Sequence, residues 1–359
     1  MSIAHNFFAG PAVLPQVVVK ETTEACQNFA GTGIGLMEIS HRSKEFDAVI
    51  KGAQSDLLKI MGLNDDYDVL FLGGGASLQF YMVPFNFLHT KADYINTGVW
   101  AKKAIKEAKL VGNVNVAASS DATNFNYIPK EYSLSSDADY VHITTNNTIY
   151  GTEWKTDPNT GNVPLIADMS SDFLGIKRDF SKYSLIYAGA QKNIGPSGVV
   201  VVVVKKSFLE EKAKTGLPTM LAYKTHADNE SLFNTPPVLP IYAVSRVMKW
   251  IEAMGGVEAV QEKNEIKAGL IYGVIDAYND FYKGAVLDKT DRSLMNITWN
   301  LPTAELEDKF IAEAKQLKML GLKGHRSVGG VRASVYNACP MESAQALSKF
   351  MEEFYKNNK

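Results

Sequence analysis

Cysteine is nearly missing from this chain: Cys26 and Cys339 are the two it has in 359 residues. Two thiols so far apart make no disulfide framework, and without a CxxC pair they suggest no metal knuckle. They read as free thiols of a reducing compartment. An excess of one charge is missing as well. The 37 Lys and Arg against 39 Asp and Glu leave a net charge of -2, which gives no basic footprint for nucleic acid. Affinity for anions must then come from local clusters. Long apolar runs are also missing. The longest, Val199 to Val204, falls far below the roughly 20 residues of a bilayer span. The opening Met1-Ser2-Ile3-Ala4-His5-Asn6 has no charged stretch followed by an apolar one, so no signal peptide and a cytoplasmic location are expected. His41, His142, His226 and His325 lie far apart with no HxxxH, which argues against a metal site. Neither GxGxxG nor the Walker pattern occurs, and the missing GxGxxG speaks against a nicotinamide-linked oxidoreductase.

What is present is an ordinary globular composition, 46% hydrophobic and 21% charged, long enough for one large domain and one smaller one. Short β-rich segments alternate with helical patterns. Strands are expected at 68–72, 94–97, 140–144, 164–168, from 184 toward Lys192, and at the valine run, with helices starting at Ala76 and spanning Val99 to Leu110. The alternation predicts an α/β fold with a mostly parallel sheet and helices on both faces. Six valines without polar alternation fit a strand buried on both sides. From Ile241 to Asp280 the pattern is long helices broken at Gly255-Gly256. A strand at 294–299, a helix from Thr303 to Leu320, a strand at 330–336 and a helix from Met341 then make a smaller C-terminal α/β domain. The expected division is 16–255 for the large domain and 256–359 for the small one, joined by the N-terminal segment 1–15.

Lys192 is the main candidate for chemistry. It closes the run Ser184 to Gln191, its neighbours are small or apolar, and Asn193-Ile194-Gly195-Pro196-Ser197-Gly198 follows. A solvated lysine has no need of that setting, and desolvation lowers a lysine pKa toward what imine formation requires. Asp168 ends Pro164-Leu165-Ile166-Ala167 at a neighbouring strand tip, although an aspartate there can also be a helix cap or a turn residue. A lysine for the aldehyde carbon and a carboxylate for the ring nitrogen are what pyridoxal phosphate (PLP) chemistry requires. Gly73-Gly74-Gly75-Ala76-Ser77 is a glycine turn before a helix, where backbone N–H groups suit a phosphate. Trp100, at a strand-to-helix junction, is placed either to stack on a pyridine ring or to fill the core. His41-Arg42, His325-Arg326 and Arg332, all near glycines, read as anion binders.

These segments together resemble the phosphoserine aminotransferase family, class V aminotransferases of PLP fold type I. The likeness runs from Asn6-Phe7-Phe8-Ala9-Gly10-Pro11 through Glu38-Ile39-Ser40-His41-Arg42-Ser43, Gly73–Ser77 and Gly98-Val99-Trp100. It continues in the lysine box Ala188-Gly189-Ala190-Gln191-Lys192-Asn193 and ends in Gly324-His325-Arg326-Ser327-Val328-Gly329-Gly330-Val331-Arg332-Ala333-Ser334. The resemblance implies a large domain with a seven-stranded sheet. It implies Lys192 as the Schiff-base lysine, Asp168 on the ring nitrogen and Trp100 on the ring. Ala76, Ser77 and Gln191 would take the cofactor phosphate and Thr148 the ring hydroxyl, while Asn234 and Thr235 would reach the phosphate of the other subunit of a homodimer. His41, Arg42, His325, Arg326 and Arg332 would bind the substrates: phosphoserine, glutamate and 2-oxoglutarate. Some bacterial members also accept phosphohydroxythreonine, on the route to pyridoxine. Asn147 stands where some relatives carry Glu, but Thr148 beside it is kept.

Other class V chemistry remains open at this point, namely an alanine–glyoxylate-type transaminase or a cysteine desulfurase. The first has no need of two His-Arg pairs. The second needs a nucleophilic cysteine on a loop, and neither Cys26 nor Cys339 is set that way. A silent PLP-fold binding module would be expected to lack Lys192 or Asp168.

Overall fold

The structure is a computed structural model that describes residues 4–326 and 328–359, so the readings at Met1–Ile3 and Ser327 lie outside the described residues. In chain order the strands are β1 (His5–Asn6), β2 (Tyr67–Leu72), β3 (Lys91–Asn96), β4 (Asn113–Ser119), β5 (Val141–Thr144), β6 (Leu165–Asp168), β7 (Tyr183–Gly189), β8 (Val200–Lys205), β9 (Lys283–Gly284), β10 (Asn296–Asn300), β11 (Met319–Leu320) and β12 (Val331–Ser334). Seven of them form one sheet in the order β2-β8-β7-β6-β5-β3-β4. β8 runs antiparallel to both its neighbours, while the β7-β6, β6-β5, β5-β3 and β3-β4 pairs are parallel. The valine run is therefore buried as expected, but as the one antiparallel strand of this sheet.

Alternating side chains divide the strands between two cores. Val69, Phe71, Ile143, Ala167, Ile186 and Val201 face a cluster that includes the helices Lys44–Met61 and Val238–Ala253. Leu70, Leu72, Tyr94, Ile166, Leu185 and Val202 face the other side, against Gly75–Phe87 and Val99–Ala108. The first of these helices shows how sequence sets an element. Ser43 accepts from the Phe46 N–H as N-cap, Glu45 and Asp47 lie in the first turn, Lys59 in the last, and Gly62 ends the helix in the left-handed region at φ 67°. Phe46, Ile50, Ala53, Leu57 and Met61 make its buried face.

A separate cluster gathers Phe7 with Ile271, Ile275, Ile297, Trp299, Phe310, Val331, Leu347 and Phe354. Its sheet is β12-β10-β9, antiparallel, and β1 pairs with β11 in parallel, so the N-terminal segment is stitched into the C-terminal part. The stretch read as one helix to Leu320 stops at Gln316. Lys318 takes a positive φ of 60°, and β11 follows. The edge strand β4 escaped the sequence reading because its residues are half-buried or exposed. Among the described residues no helix is long and apolar enough to cross a membrane.

Candidate active site

Every parallel strand of the large sheet ends on the same side, and the loops leaving those ends build one cavity of about 430 Å³. Ala9, Gly10, Gly74–Ser77, Trp100, Thr148, Asp168, Gln191, Lys192, His325 and Arg332 are in its wall. The cavity thus collects most of the expected residues from segments far apart in the chain.

Lys192 sits three residues beyond β7, in a turn rather than on the strand. The turn is held from outside: the Ala12 N–H donates to the Gln191 carbonyl at 2.8 Å. Lys192 Nζ donates to Thr148 Oγ1 at 2.9 Å and stands 5.7 Å from the Trp100 ring centroid. Desolvation pulls its pKa down to about 8, with Asp168 opposing and Arg332 adding to the drop.

Asp168 is the last residue of β6 and is buried. Its Oδ1 accepts from the Ser170 N–H at 2.9 Å and from Ser170 Oγ at 2.6 Å. Ser170 Oγ in turn accepts from the Gly189 N–H at 3.1 Å, tying the aspartate to the end of the lysine strand. Burial raises the Asp168 pKa above the ordinary carboxylate value, and Ser170 and Lys192 only partly offset that.

The glycine turn leads directly into a helix at the cavity wall. Gly74 and Gly75 take φ of 79° and 60°, and a Cβ on Gly74 would lie 2.6 Å from Leu78. That conformation opens the first turn of Gly75–Phe87 to the cavity at Ala76 and Ser77, where helical N–H groups have no helical acceptor. At Gly98 the constraint is close approach. A Cβ there would meet the Asn147 amide at 2.3 Å. Asn147 Nδ2 donates to the Thr97 carbonyl, and Oδ1 accepts from the Ile149 and Tyr150 N–H groups at 3.4 Å. Asn147 thus clamps the turn carrying Thr148 to the loop carrying Trp100.

Arg332, on β12, reaches over from the C-terminal part and donates through Nη1 to the Thr148 carbonyl at 3.2 Å. Burial lowers its pKa, and its Nε has no partner among the described residues. His325 also lines the cavity, its pKa lowered by burial and then by Arg332, Arg326 and Lys103. Arg326 is exposed beside it and outside the wall. Within one chain the structure does not bring His41, Arg42, Asn234 or Thr235 to this cavity. Arg42, Asn234 and Thr235 are exposed, and His41 is half-buried away from the wall.

Residues beneath the site went unnoticed in the sequence. Thr145 Oγ1 donates to the Asp168 carbonyl at 3.2 Å and to Asp172 Oδ1 at 2.5 Å. Arg178, itself buried, bonds Asp172 at 2.8 Å, Asp157 at 2.9 Å and the Trp154 carbonyl at 2.7 Å. Burial pushes Asp172 up even against the Arg178 charge. Arg178→Met leaves two buried carboxylates without their counter-ion, so urea unfolding of the variant should show a loss of roughly 3–5 kcal/mol. A loss below about 1 kcal/mol would mean that the triad is not a structural support. Loop residues 6 and 21 positions from Arg178 have no periodic signature, which is why the triad was not legible.

The unsatisfied groups test whether PLP fits. Trp100 Nε1, Thr144 Oγ1 and Arg332 Nε are buried and unpaired among the described residues, and Trp100, Thr144 and Arg332 all line the cavity. A planar, polar, anionic ligand answers all of these together with the Ala76–Ser77 seat, so the residues suit the group. A thiol mechanism finds no support: Cys339 is buried, with its pKa pushed up to about 11 by burial.

The fold and the site define an α/β enzyme in which a desolvated lysine and a buried carboxylate meet at the ends of parallel strands. The chain belongs to the class-V aminotransferases, whose family model matches residues 4–347. A phosphoserine aminotransferase of Desulfosudis oleivorans is 55% identical, over 99% of this chain and 98% of its own. The structure of a phosphoserine aminotransferase from Bacillus circulans subsp. alkalophilus matches with a TM-score of 0.97 at 50% identity, covering 99% of both chains. A PLP-bound phosphoserine aminotransferase from Trichomonas vaginalis matches with a TM-score of 0.93 at 37% identity, covering 98% of this chain and 100% of that one.

Proposed function

We propose that this chain is a PLP-dependent phosphoserine:2-oxoglutarate aminotransferase that works as a homodimer. The observation that carries the reading is the meeting of Lys192, with its amine pulled toward neutrality, and buried Asp168 in one cavity that Arg332 and His325 also line. Relatives and solved structures of the same kind, alike over nearly the whole chain, support it. PLP bound here supplies an electron sink for the charge left when an amino acid loses its Cα proton.

The chain's own residues do the rest. Lys192 would hold the cofactor through Nζ, and the free amine takes the substrate's Cα proton and later returns a proton. Asp168 would keep the ring nitrogen protonated, Trp100 would stack on the ring, and Thr148 would bond the ring hydroxyl. Ala76, Ser77 and Gln191 would hold the cofactor phosphate. Arg332 takes the α-carboxylate that all the substrates share, in the bidentate manner of a guanidinium. The distal anion, phosphate in one substrate and carboxylate in the other, falls to His325 and Arg326. In this reading His41 and Arg42 join them from a second copy, as do Asn234 and Thr235 at the cofactor phosphate, since none of the four lines the cavity of its own chain.

The direct test is a half-reaction. Phosphoserine added alone should convert the bound cofactor's visible or near-UV band to that of the aminated cofactor, with 2-oxoglutarate restoring it. Alanine and cysteine should be poor substitutes, and a preference for either would refute the assignment. Phosphohydroxythreonine in the same cuvette reports whether the longer substrate is taken. The shared site has its own test. Arg42→Ala should raise KM for phosphoserine and 2-oxoglutarate with the cofactor retained. Mixing it with Lys192→Ala subunits should create hybrids with one intact site and recover activity. No recovery on mixing, with hybrids demonstrated, would place Arg42 outside the partner's site.

A further inference from the structure

Lys103 reads in the sequence as one of three lysines on the wet side of a helix. The structure gives it a different setting. It follows Trp100 by three residues on Val99–Ala108, which puts the two side chains on one helix face. Its Nζ stands 4.5 Å from the Trp100 ring centroid, near enough for a cation–π contact on a ring that lines the cavity. Its neighbour Lys102 has a carboxylate partner, Asp121 at 3.5 Å, and Lys103 has none among the described residues. His325 feels the Lys103 charge together with those of Arg332 and Arg326, after the larger effect of its own burial. Lys103 is thus an exposed, uncompensated ammonium held against a wall of the cavity at the side where His325 stands.

We propose that Lys103 is a specificity-determining residue that favours the phosphate-bearing substrate over the carboxylate-bearing one. This rests on the functional reading above. Both substrates present the same α-carboxylate, so Arg332 cannot tell them apart. Their distal groups differ in charge: a phosphate monoester carries about −1.5 to −2 near pH 7, against −1 for a carboxylate. An ammonium on a flexible stem acts as a point charge and not as a shaped fork. Its attraction scales with ligand charge, weakens with salt, and is indifferent to whether the anion is tetrahedral or planar. An unpaired cation of that kind discriminates by charge, while the contact with Trp100 limits how far it strays. Its exposure keeps the contribution modest.

The test is Lys103→Gln in the holoenzyme, with both half-reactions measured. KM for phosphoserine and 3-phosphohydroxypyruvate should rise roughly 3–10-fold, and KM for glutamate and 2-oxoglutarate less than about twofold. The effect should fall on KM rather than kcat. Lys103→Arg should restore the parent values, and Lys102→Gln should move neither pair. The gap should narrow in high salt, and again below about pH 6 where the phosphate loses its second charge. Equal shifts for both substrate pairs, or no shift, would overturn the proposal while leaving the aminotransferase reading in place. If the unmutated protein does not turn over phosphoserine at all, that reading fails, and the role of Lys103 fails with it.

Discussion

Lys192→Ala should abolish transamination, with kcat reduced by at least about 10⁴-fold, because one amine serves both to hold the cofactor and to move the proton. The physical basis is its setting. Nζ is desolvated, bonded to Thr148 Oγ1 and facing Asp168 in the same cavity, which brings its pKa to about 8. Among the described residues no other lysine lines the cavity: Lys103 stands against Trp100 but lies outside its wall. The variant should still bind PLP, because the Ala76–Ser77 turn, Gln191 and Asp168 are untouched. Its spectrum should be that of free aldehyde. Borohydride followed by peptide mapping should label the parent at Lys192 and leave the corresponding variant peptide unlabelled. A reduced cofactor adduct at the usual site in the variant, or turnover within about 100-fold of the parent, would show that another group does this work.

The sequence carried the chemistry of the site further than its scaffolding. Lys192, Asp168 and the glycine turn were legible because each sits at a strand end, where a hydrophobic run stops and small residues begin. Local pattern marks such places. The β8 strand was legible as buried, but not as antiparallel: six valines declare two covered faces and say nothing of direction. The edge strand β4 was missed because one side of it meets solvent. Ser170, Asn147 and the Asp172–Arg178–Asp157 triad act through contacts between segments, and spacing along the chain does not encode those. His41, Arg42, Asn234 and Thr235 show the opposite limit. Their motifs were plain, yet a single folded chain leaves them away from the cavity. On the proposed reading their neighbours lie in a second copy, and one chain's sequence or fold would then not place them.

Asp168→Asn should separate function from stability. The carboxylate is buried, and its pKa lies above the ordinary value even with Lys192 nearby, so keeping it ionised costs the folded apoprotein free energy. The folded state holds the proton more tightly than the unfolded chain. The stability this gives is fully present below the unfolded pKa and is lost as pH rises through the folded one. Asparagine is nearly isosteric, keeps an Oδ1 to accept from Ser170 N–H and Oγ, and carries no charge to desolvate. Apo Asp168→Asn should therefore melt higher than the apo parent at neutral pH, by roughly 2–4 °C for each kcal/mol recovered. The difference should shrink as the solution is acidified and Asp168 protonates in the parent. Catalysis should go the other way, with the half-reaction slowed by roughly 10³-fold, because an amide cannot hold the ring nitrogen protonated. An enzyme that loses both stability and activity would mark Asp168 as a structural hydrogen-bonding residue. Gain of one with loss of the other is the signature of a charge buried for its chemistry, and the bonds from Ser170 are what keep it in place without the cofactor.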